Sequence, residues 1–239
     1  MEEHRIRPIA HVRSDFPEKF GIPRQSGLVE ELRSYVVFDP PYGRREALRE
    51  IEGFSHLWLI WQFSESLTQE FRPTVRPPRL GGNRRVGVFA SRSPYRPNGL
   101  GLSCVRLLGI EEPPEGLRLL VAGADLLDGT PVFDIKPYIP FTDCRPEALP
   151  GYTADTREHR LRVVFPQELL SRVPPDRREA LTGVLSLDPR PGYEDRPGEV
   201  YGLAFGGLDV GFTVEKGVLR VTRITRKEEG QSCGQSCSG

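Results

Sequence analysis

The chain has 239 residues, 37% hydrophobic and 28% charged, with 33 basic and 33 acidic side chains and a formal net charge of zero. That length accommodates one large domain or a domain with a small appendage, and the apolar content supports a packed core, which excludes disorder of the whole chain. A zero net charge excludes crude whole-molecule attraction to nucleic acid, and 25 Gly with 23 Pro favour turns and short strands over long helices.

Met1 to Arg5 lacks a basic start followed by an apolar run, so no secretory signal is expected. His4 to Val12 reads as a first strand interrupted at Pro8, and Phe16 to Gln25 as a loop broken by Pro17, Gly21 and Pro23. Arg44 to Glu52 has Ala47, Leu48 and Ile51 at helical spacing with Gly53 as a stop. Phe54 to Phe63 is a buried strand by its aromatic and β-favouring content, and its apolar run is too short to span a bilayer. Phe71 to Gly82, rich in Pro and Arg, is a loop. Strands are expected at Val86–Ala90, Gly101–Ile110, Leu117–Ala124 and Thr130–Ile135.

Beyond residue 160 the pattern changes. Gln167–Val173 and Asp176–Leu187 read as helices. Tyr201–Phe205, Val210–Val214 and Val218–Ile224 read as strands, the last two joined by a turn at Glu215-Lys216-Gly217. The fold class expected is mainly β: an antiparallel or mixed β-barrel over residues 1–160 and a small α+β domain over 161–227, followed by a disordered tail at 228–239. Cys104, Cys144, Cys233 and Cys237 form no paired C-x-x-C pattern, so no metal site is expected, and the reducing cytoplasm is the default location.

The zero net charge hides an asymmetry. Between Phe71 and Ile110 there is no Asp or Glu, yet there are eight Arg: 72, 76, 79, 84, 85, 92, 96 and 106. A local surface of this kind is an electrostatic footprint for nucleic acid, the competing reading being a surface loop paired with acids elsewhere. Arg76, Arg79, Arg84 and Arg96 are the candidate RNA contacts, and one of them can grip a carboxylate bidentately. Asp134, Lys136 and Tyr138 alternate with period two and would share one side of a strand, as a functional face or as a structural ion pair. Asp128 precedes Gly129 as a turn carboxylate or as a general base. His56 sits in an apolar segment and reads as structural.

Three segments exceed what packing asks for: Lys19-Phe-Gly-Ile-Pro-Arg-Gln-Ser-Gly27; Arg76-Pro-Pro-Arg-Leu-Gly-Gly-Asn83 with Phe89-Ala-Ser-Arg-Ser-Pro-Tyr-Arg-Pro-Asn98; and Asp125 to Pro140. With Phe54-Ser-His-Leu-Trp58 and Asp188-Pro-Arg-Pro-Gly-Tyr193, they resemble the TrmO, or TsaA-like, family over about residues 6 to 225. The resemblance implies an S-adenosylmethionine-dependent methyltransferase built on a β-barrel and working as a homodimer. Its substrate would be tRNA bearing N6-threonylcarbamoyladenosine next to the anticodon, at position 37, methylated on N6. It also implies a cofactor site of Arg24, Gln25, Ser26, Ser64, Glu65, Arg92, Leu102, Asp128, Gly129 and Thr130. The catalytic candidates are Asp128, Asp134, Lys136 and Tyr138.

Two departures stand out. Ser64-Glu65 occupies a place where many relatives carry His and Gln, and Pro97-Asn-Gly-Leu-Gly101 replaces the usual Pro-Asn-Pro-Ile-Gly. A non-catalytic RNA-binding module and a methyltransferase of small molecules are the alternatives; the first predicts RNA binding without cofactor, and the second has no need of the acid-free Arg stretch.

Overall fold

The computed structural model describes residues 4–66, 71–77, 84–156, 160–190, 196 and 198–226. Twelve strands appear among them: β1 Ala10–Arg13, β2 Arg33–Phe38, β3 His56–Gln62, β4 Thr74–Val75, β5 Val86–Gly87, β6 Leu100–Glu111, β7 Arg118–Ala122, β8 Pro131–Pro137, β9 Arg162–Val164, β10 Tyr201–Phe205, β11 Leu208–Glu215 and β12 Val218–Arg226. The helices are short: α1 Pro140–Asp143, α2 Gln167–Leu170 and α3 Arg178–Ser186. The mainly β expectation holds. The proposed tail at 228–239 lies outside the described residues, as does Arg79.

Six strands close on themselves in the order β1-β2-β7-β6-β3-β8, every pair antiparallel. Side chains alternate across each strand, so Val12, Val36, Leu57, Leu59, Leu119 and Val132 turn inward together as one core. Removing each such side chain from water contributes about 1.5–3 kcal/mol. On β3 the residues between them, His56, Trp58 and Ile60, look outward. Trp61, at the strand's far end, packs over Gly101, where an added Cβ would come within 2.3 Å of the indole. No larger residue fits beneath that ring.

A second sheet, β10-β11-β12-β9, carries α3 on its apolar face. Lys216 and Gly217 both take positive φ, the pairing a type I′ hairpin turn needs. The core under this sheet is not confined to the C-terminal residues. Phe16, Val29 and Leu32 reach into it, and the Phe16 ring meets Phe205 edge-on at 5.4 Å. The segment between β1 and β2 is thus held on one core while its flanking strands belong to the other.

Several elements differ from expectation. Arg44–Glu52 is no α-helix but two 3₁₀ turns, Arg45–Leu48 and Ile51–Gly53, parted by Glu50 at φ 67°. Nine residues with Leu48 as their one fully buried side chain give little to nucleate a longer helix. Strands β2, β4 and β9 were not anticipated, β4 falling within the expected 71–82 loop, and the strand expected at Val86–Ala90 ends at Gly87, where a 3₁₀ turn over Val88–Ala90 takes over. The first strand is shorter than His4–Val12, beginning after Pro8.

Candidate active site

A cleft of about 1870 Å³ opens beside the end of β3 and β6, lined by residues from separate stretches of the chain: the 19–28 loop, residues 58–66, the 72–77 and 85–96 arms, residues 100–102, Asp125, Leu127 and Thr130, and Tyr152 with Thr153. Local chemistry explains why these stretches meet. Lys19 reaches over to the 64–66 turn, donating to the Glu65 carbonyl at 2.7 Å and to Ser66 Oγ at 2.9 Å, with the Glu65 carboxylate 3.4 Å away. Phe63 N–H donates to the Gly99 carbonyl at 2.8 Å. The two departures from the family pattern, Ser64-Glu65 and Gly99, therefore sit against each other. Gly99 takes φ 58°, a conformation closed to the proline that usually stands there.

Among the lining residues is Asp125, partly buried. Ser103 Oγ donates to its carboxylate at 2.6 Å and accepts from the Trp61 indole N–H at 3.0 Å. The Ser26 N–H also bonds the carboxylate, and Arg92 lies near enough to attract it. Burial pushes this carboxyl above the ordinary carboxylate range; the Ser103 hydrogen bond and the Arg92 charge oppose the rise without cancelling it. Arg92 in turn donates to Gln25 Oε1, and Ser26 Oγ accepts from the Cys104 N–H at 3.1 Å. One connected network thus joins β3, β6, the 24–26 loop and the 88–93 arm around a single partly buried acid. Sequence reasoning missed Asp125. It opens the third motif, where its apolar neighbours Ala124 and Leu126 turn into the core.

Of the expected cofactor residues, Arg24, Gln25, Ser64, Glu65, Arg92, Leu102 and Thr130 line the cleft. Ser26 stands behind them through its bonds to Cys104 and Asp125. Thr130 is buried, its hydroxyl donating to the Leu127 carbonyl at 2.7 Å. Gly129, at φ 78°, lets the turn close on Val12. Asp128 does not face the cleft residues: its carboxylate accepts from Ser14 N–H at 3.1 Å and lies 3.4 Å from Arg13.

Asp134 and Lys136 pair with each other at 2.9 Å on the outward face of β8, opposite Ile60 and Trp58 of the cleft wall. Tyr138 tilts against Trp58 at 5.6 Å. Desolvation and its neighbours Cys144, Cys104 and Asp143 raise the Tyr138 phenol. These three residues therefore flank the cleft one strand away from its lining. His56 lies on the same face, 2.9 Å from Ser55 Oγ.

The arginines divide into two kinds. Arg96 donates to the carbonyls of Ser91, at 2.7 Å, and Val88, at 3.3 Å, and so braces the 88–96 arm from within. Arg76 lines the cleft together with Arg72 and Arg85, and among the described residues these three make no ion pair. Arg84 is exposed beside them. Among the described residues no group of three or more His, Cys, Asp or Glu gathers as for a metal, and no helix is long and apolar enough to cross a membrane.

Residues 11–144 match the family model described as the tRNA-methyltransferase O N-terminal domain, and residues 158–227 match the TrmO C-terminal domain. The chain is 40% identical over 211 residues to the tRNA (adenine(37)-N6)-methyltransferase of Escherichia coli, spanning 86% of this chain and 89% of that one. It is 46% identical over 176 residues to the protein of the same name from Eikenella corrodens, covering 73% and 99%. A Pseudomonas aeruginosa protein, 43% identical over 216 residues, carries a name that groups it with the S-adenosylmethionine-dependent methyltransferases. The crystal structure of a Pseudomonas aeruginosa TrmO superposes with a TM-score of 0.77 at 35% identity, covering 95% of this chain and 98% of that one.

Proposed function

The chain belongs to the tRNA-methyltransferase O family, and on that premise we propose that it methylates N6 of threonylcarbamoyladenosine at position 37 of tRNA, using S-adenosylmethionine. The observation that carries the reading is the cleft itself, where a partly buried carboxylate and an acid-free arginine wall face one space. The residues fit the cofactor. Trp61, Ile60 and Leu102 offer apolar wall, Gln25 and Ser64 offer polar contacts, and Asp125 offers negative charge to a cation. When bound, S-adenosylmethionine supplies a methyl group on a sulfonium that loses its positive charge as the methyl leaves.

The chain's own contribution is placement. Arg24, Gln25, Ser26, Arg92 and the 64–65 turn form the cofactor wall, while the Asp128-Gly129-Thr130 turn fixes the strand ends behind it. N6 of the acceptor gives up a proton as its new N–C bond forms, and we assign Asp125 to receive it. Burial raises this carboxyl's hold on a proton, and Ser103 and Ser26 fix its orientation. Asp128 and Asp134 are engaged by Arg13 with Ser14 and by Lys136, which favours a structural part for both.

Phe141 and Leu149, 86% and 92% exposed, precede Tyr152 and Thr153 at the cleft's edge. We assign them to the face that a second copy covers in a homodimer, and Phe141→Asp should halve the sedimenting mass; an unchanged mass would remove that assignment. Free Cys104 and Cys144 suit a reducing cytoplasm.

The test is transfer of labelled methyl to tRNA with and without threonylcarbamoyladenosine. Label confined to the modified tRNA, with kcat lowered on the order of 100-fold or more in Asp125→Asn and far less in Asp128→Ala, is the expected result. Cofactor binding with label in neither tRNA would refute the reading.

A further inference from the structure

Two apolar rings stand bare beside this cleft. Phe89 is 73% exposed and Phe71 is 58% exposed, and their rings lie nearly parallel, 25° apart, with centroids separated by 6.2 Å. Their placement is built, not accidental. The short β4–β5 ladder pairs Thr74 with Gly87 and Val75 with Val86, and Val88 N–H adds a bond to Pro73 at 2.9 Å. Val88 then turns fully inward as an anchor, which leaves its neighbour Phe89 facing out, and Phe71 emerges at the same end of the ladder. Arg96 fixes the arm from behind through the Val88 and Ser91 carbonyls.

The surroundings decide what such a platform suits. A docking face for another protein's core would be ringed by mixed charge. Here Arg72, Arg76 and Arg85 stand alongside without an ion-pair partner among the described residues, in a stretch from 71 to 110 that holds no acid. Tyr95, also exposed, lies on the same wall. Bare aromatic faces amid unneutralised guanidinium groups are what an unpaired nucleotide needs: a surface for its base to stack on and cations for its phosphates.

We propose that Phe71 and Phe89 form a stacking platform for an unpaired base of the RNA loop, next to the nucleotide that is methylated, with Arg72, Arg76 and Arg85 taking the flanking phosphates. The inference rests on the tRNA reading above and deepens it. It assigns to the protein a second base subsite outside the cofactor wall. It also explains why an unpaired loop would be preferred to duplex, whose bases have no free face to offer.

The test uses the full chain with threonylcarbamoyl-modified tRNA and compares wild type, the double variant Phe71→Ala/Phe89→Ala, and Phe89→Trp. The double variant should raise KM for tRNA by about tenfold or more, the range for losing one base–aromatic stack. Its Kd for S-adenosylmethionine, melting temperature and sedimenting mass should match wild type. Phe89→Trp should keep wild-type KM, and an abasic residue beside the target should reproduce the loss in wild type while adding nothing to the double variant. A wild-type KM in the double variant, with tRNA still methylated, overturns the platform alone. So does a KM rise accompanied by weaker cofactor binding, which would make the rings part of the cofactor wall, or by a halved mass, which would make them a contact between copies. Wild-type protein that labels no tRNA overturns the tRNA reading and the platform with it.

Discussion

Asp125 shows how one partly buried side chain can set two opposite pH dependences. Because burial raises its carboxyl, the folded chain holds this proton at pH values where the unfolded chain has released it. Its contribution to stability is complete below the ordinary carboxylate range and is lost as pH rises through the raised folded value. Asp15, also raised chiefly by burial despite its Arg177 partner, adds a slope of the same sign. With Asp125 as the proposed proton acceptor, activity runs the other way, since an acceptor must first be ionised, and kcat should climb over the window in which stability declines. Asp125→Asn should flatten part of the stability slope, leaving the Asp15 share, in urea midpoints measured from pH 4 to 8. Midpoints of variant and wild type that stay parallel across that range would show that Asp125 does not titrate as its burial requires. The residue was legible only in retrospect. Attention to the Asp-Gly pair in the same motif favoured Asp128, whereas the acid flanked by buried Ala124 and Leu126 was the one the fold desolvates.

Among the elements, those with local signals were easiest to read. The 56–62 strand alternates without interruption, and the Lys216-Gly217 turn carries its own geometry. Strand β9 pairs parallel with β12 some 56 residues on, Arg162 opposite Val218, and nothing within three residues announces so distant a partner. Strand β2 hides differently: Ser34, Val36 and Phe38 turn inward, but Arg33 and Ser34 blur the apolar pattern at its start. Least legible was the path of the 14–32 segment. Its loop residues line the cleft, yet Phe16, Val29 and Leu32 belong to the C-terminal core, and Gly206 N–H donates to the Asp15 carbonyl at 2.8 Å. The cleft thus borrows its rigidity from the second sheet. Phe16→Ala should cost about 3–5 kcal/mol in chemical denaturation, the usual loss for deleting a buried aromatic ring. It should also weaken cofactor binding although Phe16 does not line the cleft. Full stability loss with cofactor affinity untouched would show that the 19–26 loop holds its shape without that anchor.

At the scale of the whole molecule, zero net charge conceals a local excess of cations in the 71–110 stretch, which holds eight Arg and no acid. Binding of RNA to such a surface releases counterions, so log Kd for tRNA should vary linearly with log salt, each neutralised phosphate adding about 0.7 to 0.9 to the slope. The arginines need not contribute alike. Arg76 carries no ion pair among the described residues, so Arg76→Ala should weaken binding to modified and unmodified tRNA equally and reduce the slope by about one. Arg96 was expected from sequence to be its equivalent, since charge and neighbourhood are the same. Its guanidinium, however, is occupied by the Val88 and Ser91 carbonyls. Arg96→Ala should therefore lower the melting temperature and loosen the arm that carries Phe89 and Arg92, degrading cofactor and RNA binding together. Measuring both variants over 50 to 300 mM salt separates the roles: equal reductions in slope with unchanged stability would mean that Arg96 also reaches phosphate, and that the arm is held by its backbone ladder alone.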